Sequence, residues 1–135
     1  MFKNKFKFNA VILLLVFVGG ITSSFINEKI LEQEDASILG SWQSEEDSNF
    51  RIIFNGNTCT WTYTNEPSQT FNFTLSNSSP QCGESVLVNN QTKYLHLVSA
   101  IDSSDEICYE IYSLTNTTLT LRVIDSSGFL IFNRQ

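Results

Sequence analysis

The sequence is poor in basic residues. Only eight of its 135 residues are lysine or arginine, and His96 is its single histidine. A surface that binds nucleic acid needs clustered lysine and arginine side chains, whereas the basic residues beyond residue 24 are scattered. We therefore expect no nucleic-acid partner. From Ser37 onward the sequence also lacks any convincing helical period, which argues against a helical domain.

Catalytic and metal-binding constellations are absent as well. Ser99 and Asp102 merely neighbour His96 in sequence, and no Gly-x-Ser-x-Gly motif is present to activate a nucleophile. A zinc site needs three or four ligands, which one histidine and paired cysteines do not supply. The acidic loops lack the spacing of a calcium-binding loop. We expect a surface or rim histidine, no enzymatic activity, no metal and no cofactor.

The one long hydrophobic run is short for a membrane span. Residues 10–21 are uncharged, follow three lysines and precede the small polar residues 22–24. This order is typical of a secretory signal peptide, and a bilayer span needs about 20 apolar residues. We predict a signal peptide over residues 1–24, with an uncleaved membrane anchor as the alternative. Cleavage after Ser24 predicts a secreted or periplasmic protein with no stable membrane insertion.

Cleavage would leave an acidic chain. Residues 25–135 contain 5 basic and 14 acidic residues, a formal charge of −9. Such a charge keeps a secreted protein soluble through self-repulsion, and we expect a monomer. Residues 25–36 are charged and lack strand alternation, so we interpret them as a short acidic tether. Residues 37–135 form the predicted folded domain.

Short runs of alternating residues dominate that domain. The clearest is TCTWTYT, residues 58–64, where threonines alternate with a cysteine, a tryptophan and a tyrosine. It follows Asn55-Gly56, a strong hairpin signal because a type I′ turn needs positive φ at both residues. A further hairpin is predicted from residues 86–88 and 94–98. Eight or nine strands result, with spacings near ten residues.

Regular short connections favour an antiparallel up-and-down meander. A meander of this length stacks as a sandwich or closes as a barrel, and we predict the small closed β-barrel because closure removes the sheet edges. The alternation also predicts which side chains point inward. They are Trp42, Phe50, Ile52, Phe54, Cys59, Trp61, Tyr63, Phe71, Phe73, Leu75, Leu95, Leu97, Ile107, Tyr109, Ile111, Leu119, Leu121 and Val123.

The three cysteines allow three pairings. In an oxidising compartment one disulfide and one free thiol are expected. Cys59 has the inward phase of its strand, Cys108 has the outward phase, and Cys82 lies in a Pro/Gly loop that can reach an outer face. We predict a Cys82–Cys108 disulfide and a buried, unreactive Cys59. Three free thiols are the alternative.

The segment LGSW, residues 39–42, places Gly-x-Trp at the start of the first predicted strand. In an all-β meander this resembles the lipocalin signature, and residues 37–135 resemble the bacterial lipocalin-like domain proteins. The hairpin FNGNTCTWTYT, the segment CYEIYSLTNTTLTL and the closing FLIFNRQ are similar too. The resemblance implies that Trp42 closes one barrel end and stacks with an arginine from a late strand. Arg134 is the better candidate for that partner and Arg122 the second.

Two functions remain open from the sequence. The leading hypothesis is that the barrel binds a small apolar or amphipathic ligand in its interior, because ligand pockets are mostly apolar with a few polar groups. The candidate cavity-lining residues are Trp61, Tyr63, Phe71, Phe73 and Tyr109. The alternative is that side chains fill the barrel, which then acts as an envelope or extracellular protein-interaction module. The volume of the interior distinguishes the two.

Overall fold

The computed structural model describes residues 36–135. The predicted signal peptide and all but the last residue of the predicted tether lie outside the described residues. No helix within residues 36–135 has the length and apolar character needed to cross a membrane.

Eight antiparallel strands form a closed barrel in which each strand pairs with the next and the last pairs with the first. This is the predicted up-and-down architecture. The strands are β1 (Gly40–Ser44), β2 (Phe50–Asn55), β3 (Thr58–Tyr63), β4 (Gln69–Ser76), β5 (Lys93–Ser99), β6 (Glu106–Leu114), β7 (Thr118–Val123) and β8 (Phe129–Arg134).

The hairpin between β2 and β3 forms with a different turn from the one predicted. Asn55 pairs with Thr58, so the two central residues are Gly56 and Asn57. Gly56 has a φ of 57° and Asn57 is not in the positive region. Glycine at the first central position is the pattern of a type II′ turn, which also matches the twist of the strands. The predicted type I′ turn over Asn55 and Gly56 is therefore wrong, although the hairpin itself is present.

The predicted ninth strand does not form. Residues 86–88 belong to the long β4–β5 connection and pair with no strand. Their backbone is instead held by side chains, since the Tyr94 hydroxyl donates to the Leu87 carbonyl at 2.9 Å and Ser79 Oγ accepts from the Val86 amide at 3.0 Å. Three apolar residues in a row predicted a strand, but the neighbours that would have paired with it already pair with each other.

The core occupies the barrel interior and matches the predicted inward phase closely. Trp42, Phe54, Cys59 and Leu95 are fully or almost fully buried. Tyr63 and Leu75 have the inward phase but are exposed, because each lies near a strand end at the rim of the barrel. Phe132 of β8 is a core residue that was not among the predicted inward residues.

The barrel closes where β1 meets β8. Trp42 pairs with Arg134 in this register, and the Arg134 Cζ atom lies 4.1 Å from the centre of the Trp42 ring. The guanidinium donates to three backbone carbonyls, those of Ser37 at 2.6 Å, Leu39 at 2.8 Å and Asn116 at 2.7 Å. It therefore joins the segment before β1, the β6–β7 turn and β8 at one end of the barrel.

Gly40 makes this closure possible. Its φ of +125° lies in a region that side chains rarely adopt, and a Cβ atom there would be 2.7 Å from Arg134 Nη1. The backbone of β1 can approach the guanidinium only because no side chain intervenes. The Gly-x-Trp pattern thus has a steric basis in this chain: the glycine admits the arginine and the tryptophan supports it.

We expect Arg134→Lys to lower the free energy of unfolding by about 2 kcal/mol, since a lysine cannot stack on the indole and satisfy three separate carbonyls. Urea unfolding followed by tryptophan fluorescence measures the change. The matched control is Arg51→Lys, because Arg51 is exposed and its side chain bonds to Gln43 Oε1. We expect that control to change stability by less than about 0.5 kcal/mol. Equal losses in the two variants would contradict the closing role of Arg134.

Burial raises the pKa of the Cys59 thiol from its ordinary value of 9.0 to about 12. Below pH 9 both folded and unfolded chains keep this proton; between pH 9 and 12 only the unfolded chain loses it. The free energy of unfolding should therefore fall with rising pH, by up to about 1.4 kcal/mol per unit from this group. Unfolding curves of wild type and Cys59→Ala between pH 8.5 and 10.5 measure the difference. Parallel pH profiles for the two proteins would show that Cys59 does not contribute.

Candidate functional site

The barrel interior is packed with buried apolar side chains. A cavity among them has a volume of about 10 Å³ and is lined by Phe50, Trp61, Leu97, Tyr109 and other core side chains. This is about the space that one water molecule occupies, whereas small-molecule pockets measure about 300–1,000 Å³. A cavity of this volume is too small for an organic ligand.

The five predicted cavity-lining side chains pack into the core or lie at its rim. The Trp61 ring is 5.6 Å from the Phe50 ring and 4.8 Å from the Phe71 ring. The Phe73 ring meets Phe54 edge to face at 5.1 Å. These distances are those of favourable aromatic pairs. The Trp61, Phe71 and Phe73 side chains therefore pack against other aromatic rings in the core.

Tyr63 and Tyr109 occupy different environments. Tyr63 is 44% exposed and stacks on Phe50, with ring centres 4.5 Å apart and planes inclined by 9°. Tyr109 is buried, and burial raises the pKa of its phenol, with smaller contributions from Cys59 and Tyr63. Tyr63 is therefore a rim residue and Tyr109 a neutral core residue.

A much larger depression lies on the outer face of the barrel. It has a volume of about 480 Å³ and is open to solvent. We call it the outer groove. Its lining residues come from the β4–β5 connection, from the outward faces of β5, β6 and β7, and from the β7–β8 turn. They are Ser85, Val86, Leu87, Tyr94, Glu110, Arg122, Ile124, Asp125, Ser126 and Ser127.

The floor of the outer groove follows from strand register. Tyr94 pairs with Glu110 across β5 and β6, and Glu110 pairs with Arg122 across β6 and β7. Side chains that are direct cross-strand partners on one face lie next to each other. A row of phenol, carboxylate and guanidinium therefore crosses three strands, and Arg122 Nη2 donates to Glu110 Oε2 in it.

Tyr94 supports the wall of the groove. Its ring is buried although it points away from the barrel interior, because the β4–β5 connection covers it. Burial raises the pKa of Tyr94, and the Glu110 carboxylate raises it further, while Arg122 and the hydrogen bond to Leu87 act in the opposite direction. The hydroxyl stays protonated at neutral pH and donates to the Leu87 carbonyl.

The predicted Cys82–Cys108 disulfide is confirmed, with Cα atoms 5.9 Å apart, and Cys59 is free and buried. The disulfide joins the β4–β5 connection to β6. Gln81 attaches the same connection to the end of β4: it is buried, and its Nε2 donates to Ser76 Oγ at 2.9 Å and to the Ser78 carbonyl at 2.8 Å. The loop that forms one side of the outer groove is thus anchored covalently and by hydrogen bonds.

Exposed aromatic side chains extend the surface beside the groove. The Phe129 ring meets the Tyr112 ring at 5.0 Å in an edge-to-face arrangement, with 42% and 61% of the residues exposed. Phe129 is also the cross-strand partner of Arg122 in β7 and β8. The exposed aromatic pair and the outer groove therefore meet at Arg122.

His96 lies on the outward face of β5, half-buried. Its Nε2 is 2.8 Å from Glu106 Oε2, and its cross-strand partner is the disulfide-bonded Cys108. Ser99 Oγ accepts from the Asp102 amide at 3.4 Å, and Asp102 Oδ1 accepts from the Ser104 amide at 2.9 Å. Among the described hydrogen bonds, His96 contacts Glu106 and neither of these two residues.

Comparisons of this chain with protein-family models, with curated proteins and with solved structures found no match. The closed barrel of eight antiparallel strands is compatible with a lipocalin-like fold. Function is therefore inferred from the geometry of the surface and the interior.

The outer groove was not predicted from the sequence. One signal was available, because Tyr94, Glu110 and Arg122 all have the outward phase of their strands. A large aromatic residue on an outward face predicts that something covers it. The covering segment could not be identified from sequence, since it includes residues 86–88, which resembled a strand.

We expect Tyr94→Phe to lower the free energy of unfolding by about 1 kcal/mol, because the Leu87 carbonyl loses its donor. The same change should speed amide hydrogen exchange of residues 85–88, which the hydroxyl helps to hold in place. Mass-spectrometric exchange with peptide resolution measures this. Tyr112→Phe is the matched control, since the Tyr112 ring is largely exposed. Unchanged exchange in residues 85–88 of the Tyr94 variant would show that the Tyr94 hydroxyl does not hold the loop in place.

Proposed function

We propose that this protein is an exported, lipocalin-like binding module that recognises a segment of another protein on its outer face and holds no small molecule inside its barrel. The observation that carries the proposal is the contrast in volume. About 480 Å³ is open in the outer groove, against about 10 Å³ inside the barrel. Binding is the proposed activity, and no catalytic step is assigned.

The surface beside the groove favours a protein partner over a small molecule. A pocket for a drug-sized molecule typically encloses 70–90% or more of its ligand, whereas this groove is open to solvent. Tyr112 and Phe129 continue the apolar surface past the groove. Aromatic residues and arginine are the side chains that most often dominate protein interfaces, and here Phe129, which contacts the Tyr112 ring, is the cross-strand partner of Arg122.

The charged side chains of the outer groove indicate which charge a bound protein segment carries. Arg122 is already paired with Glu110, while Asp125 in the same groove has no ion-pair partner among residues 36–135. The exported chain as predicted has a formal charge of −9 from 5 basic and 14 acidic residues. A partner segment with a lysine or arginine next to an apolar residue is complementary to Asp125 and the exposed aromatic pair.

The proposed location rests on two observations of different kinds. Disulfides persist in oxidising compartments such as the periplasm and the extracellular space, and the Cys82–Cys108 disulfide fits such a location. The order of basic, apolar and small residues over 1–24 predicts export independently. The lipocalin-like assignment is supported by the closed eight-stranded barrel and by Arg134 stacked on Trp42.

Selection of peptides from a displayed random library on the immobilised protein tests the proposal. We expect enriched peptides to combine a basic residue with an aromatic or aliphatic one. Their affinity should fall about tenfold in Tyr112→Ser, which removes an exposed aromatic contact, and about threefold in Asp125→Asn. Ile101→Ser is the matched control, because Ile101 is 97% exposed and is not among the residues that line the groove.

Native mass spectrometry of the freshly purified protein provides a second test, because it can detect a small molecule bound inside the barrel. We expect the mass of the chain alone. A co-purifying lipid or pigment that is lost in the core variant Trp61→Ala and kept in Tyr112→Ser would contradict the proposal and support a ligand inside the barrel. Peptide affinities that are equal in wild type, Tyr112→Ser and Asp125→Asn would also contradict it.

A further inference from the structure

Three side chains able to bind a metal meet on the outer face of β5 and β6. One ligand atom each of Cys82, His96 and Cys108 lies within 4.8 Å of the other two. His96 and Cys108 are direct cross-strand partners, and the disulfide brings Cys82 from the β4–β5 connection. Because the two sulfurs are bonded to each other in this structure, they are not available as thiolate ligands.

We propose that reduction of the Cys82–Cys108 disulfide creates a Zn²⁺ site formed by these two thiolates and the His96 imidazole. Zinc–sulfur and zinc–nitrogen bonds of about 2.3 and 2.0 Å around a tetrahedral ion place its ligand atoms about 3.5–4 Å apart. The three ligand atoms already lie within 4.8 Å of one another. Side-chain rotations that separate the two sulfurs are enough to admit the ion between them.

The Glu106 carboxylate provides the second, independent feature of a zinc site. Its Oε2 lies 2.8 Å from His96 Nε2, and Glu106 has the same outward phase of β6 as Cys108. Histidine ligands of zinc usually donate their second ring N–H to a carboxylate, which fixes the orientation of the ring. Glu106 is in place to do this while the other ring nitrogen binds the ion.

The ligand set defines the class of cation and the type of site. Two thiolates and an imidazole favour Zn²⁺ over Mg²⁺ or Ca²⁺, which bind oxygen ligands. Three protein ligands leave the fourth tetrahedral position to a water molecule. Cys82 and His96 are only half-buried, so solvent can reach that position. Cys59 takes no part, because it is fully buried inside the barrel.

Reduction of the Cys82–Cys108 disulfide needs a dithiol reductant. Its thiolate attacks one cystine sulfur, which breaks the Cys82–Cys108 bond and forms a mixed disulfide. Its second thiol then attacks that mixed disulfide, so the reductant leaves as a cyclic disulfide and has supplied two electrons and two protons to the two cysteines. Binding of Zn²⁺ to the reduced pair releases both thiol protons to solvent.

Zinc would replace one cross-link by another. The disulfide attaches the β4–β5 connection to β6, and a Zn²⁺ ion held by Cys82, His96 and Cys108 attaches the same connection to β5 as well. Loss of both cross-links leaves the wall of the outer groove held by hydrogen bonds, such as that from Gln81 Nε2 to Ser76 Oγ at 2.9 Å. The redox state of Cys82 and Cys108 and the bound metal together thus determine which cross-links hold the wall of the outer groove.

Titration with Co²⁺, a spectroscopic substitute for Zn²⁺, tests the site in the purified chain. After reduction with a phosphine under argon, we expect one Co²⁺ per chain, a thiolate-to-cobalt charge-transfer band in the near ultraviolet and tetrahedral d–d bands that Zn²⁺ abolishes. The oxidised protein should show none of these. Glu106→Gln should weaken Co²⁺ binding by about 10- to 100-fold, and His96→Gln by more.

Two control variants keep the ligands intact. Glu84→Gln removes an exposed carboxylate from the same loop, and Cys59→Ala removes the remaining thiol. Both should bind Co²⁺ as wild type does. If reduction unfolds the chain, addition of Zn²⁺ should restore the β-sheet circular dichroism of the wild type and should fail to restore that of His96→Gln.

Several results would overturn the proposal. They are the absence of the charge-transfer band after reduction, equal Co²⁺ affinity in wild type and His96→Gln, binding of the same strength by the oxidised protein, and failure of Zn²⁺ to refold a reduced wild type that has unfolded.

Discussion

The pairing of β1 with β8 is the interaction on which the rest of this molecule depends. The two strands meet at Trp42 and Arg134, where the guanidinium covers the indole and ties three backbone carbonyls together. Without this contact an eight-stranded meander would leave two open edges with unpaired N–H and C=O groups. Closure also separates an inside from an outside, so every alternating strand acquires one buried face and one face in contact with solvent or a covering loop.

A barrel of this size encloses only a small interior volume. Its strands are five to nine residues long, and their inward faces carry rings such as Trp61, Phe71 and Phe73 that pack at aromatic contact distances. Dense packing stabilises the fold and leaves a cavity of about 10 Å³ among the core side chains. On the outside of the barrel, the long β4–β5 connection is anchored by Cys82 and by Tyr94. This connection covers part of the sheet and forms one wall of the outer groove.

Much of the fold could be predicted because it follows from local rules. Alternation at residues 58–63 assigned the inward face of β3, and the opposite phases of Cys59 and Cys108 identified the disulfide. The interior volume could not be predicted, because phase tells which way a side chain points and not how much space remains between opposite walls. The outer groove was missed for a related reason. It depends on residues 86–88 folding over Tyr94, a long-range contact with no periodic signature in the sequence.

Circular closure also places the end of β8 beside the start of β1. The Gln135 amide donates to the Ser41 carbonyl at 2.9 Å, so the residue that follows β8 lies beside the first strand. A short peptide link between these ends would leave the ring of strands unchanged, and the exposed Gly56–Asn57 turn offers a place for new termini. The order of strands around the barrel is therefore independent of where the chain starts, and a circularly permuted protein should reach the same fold.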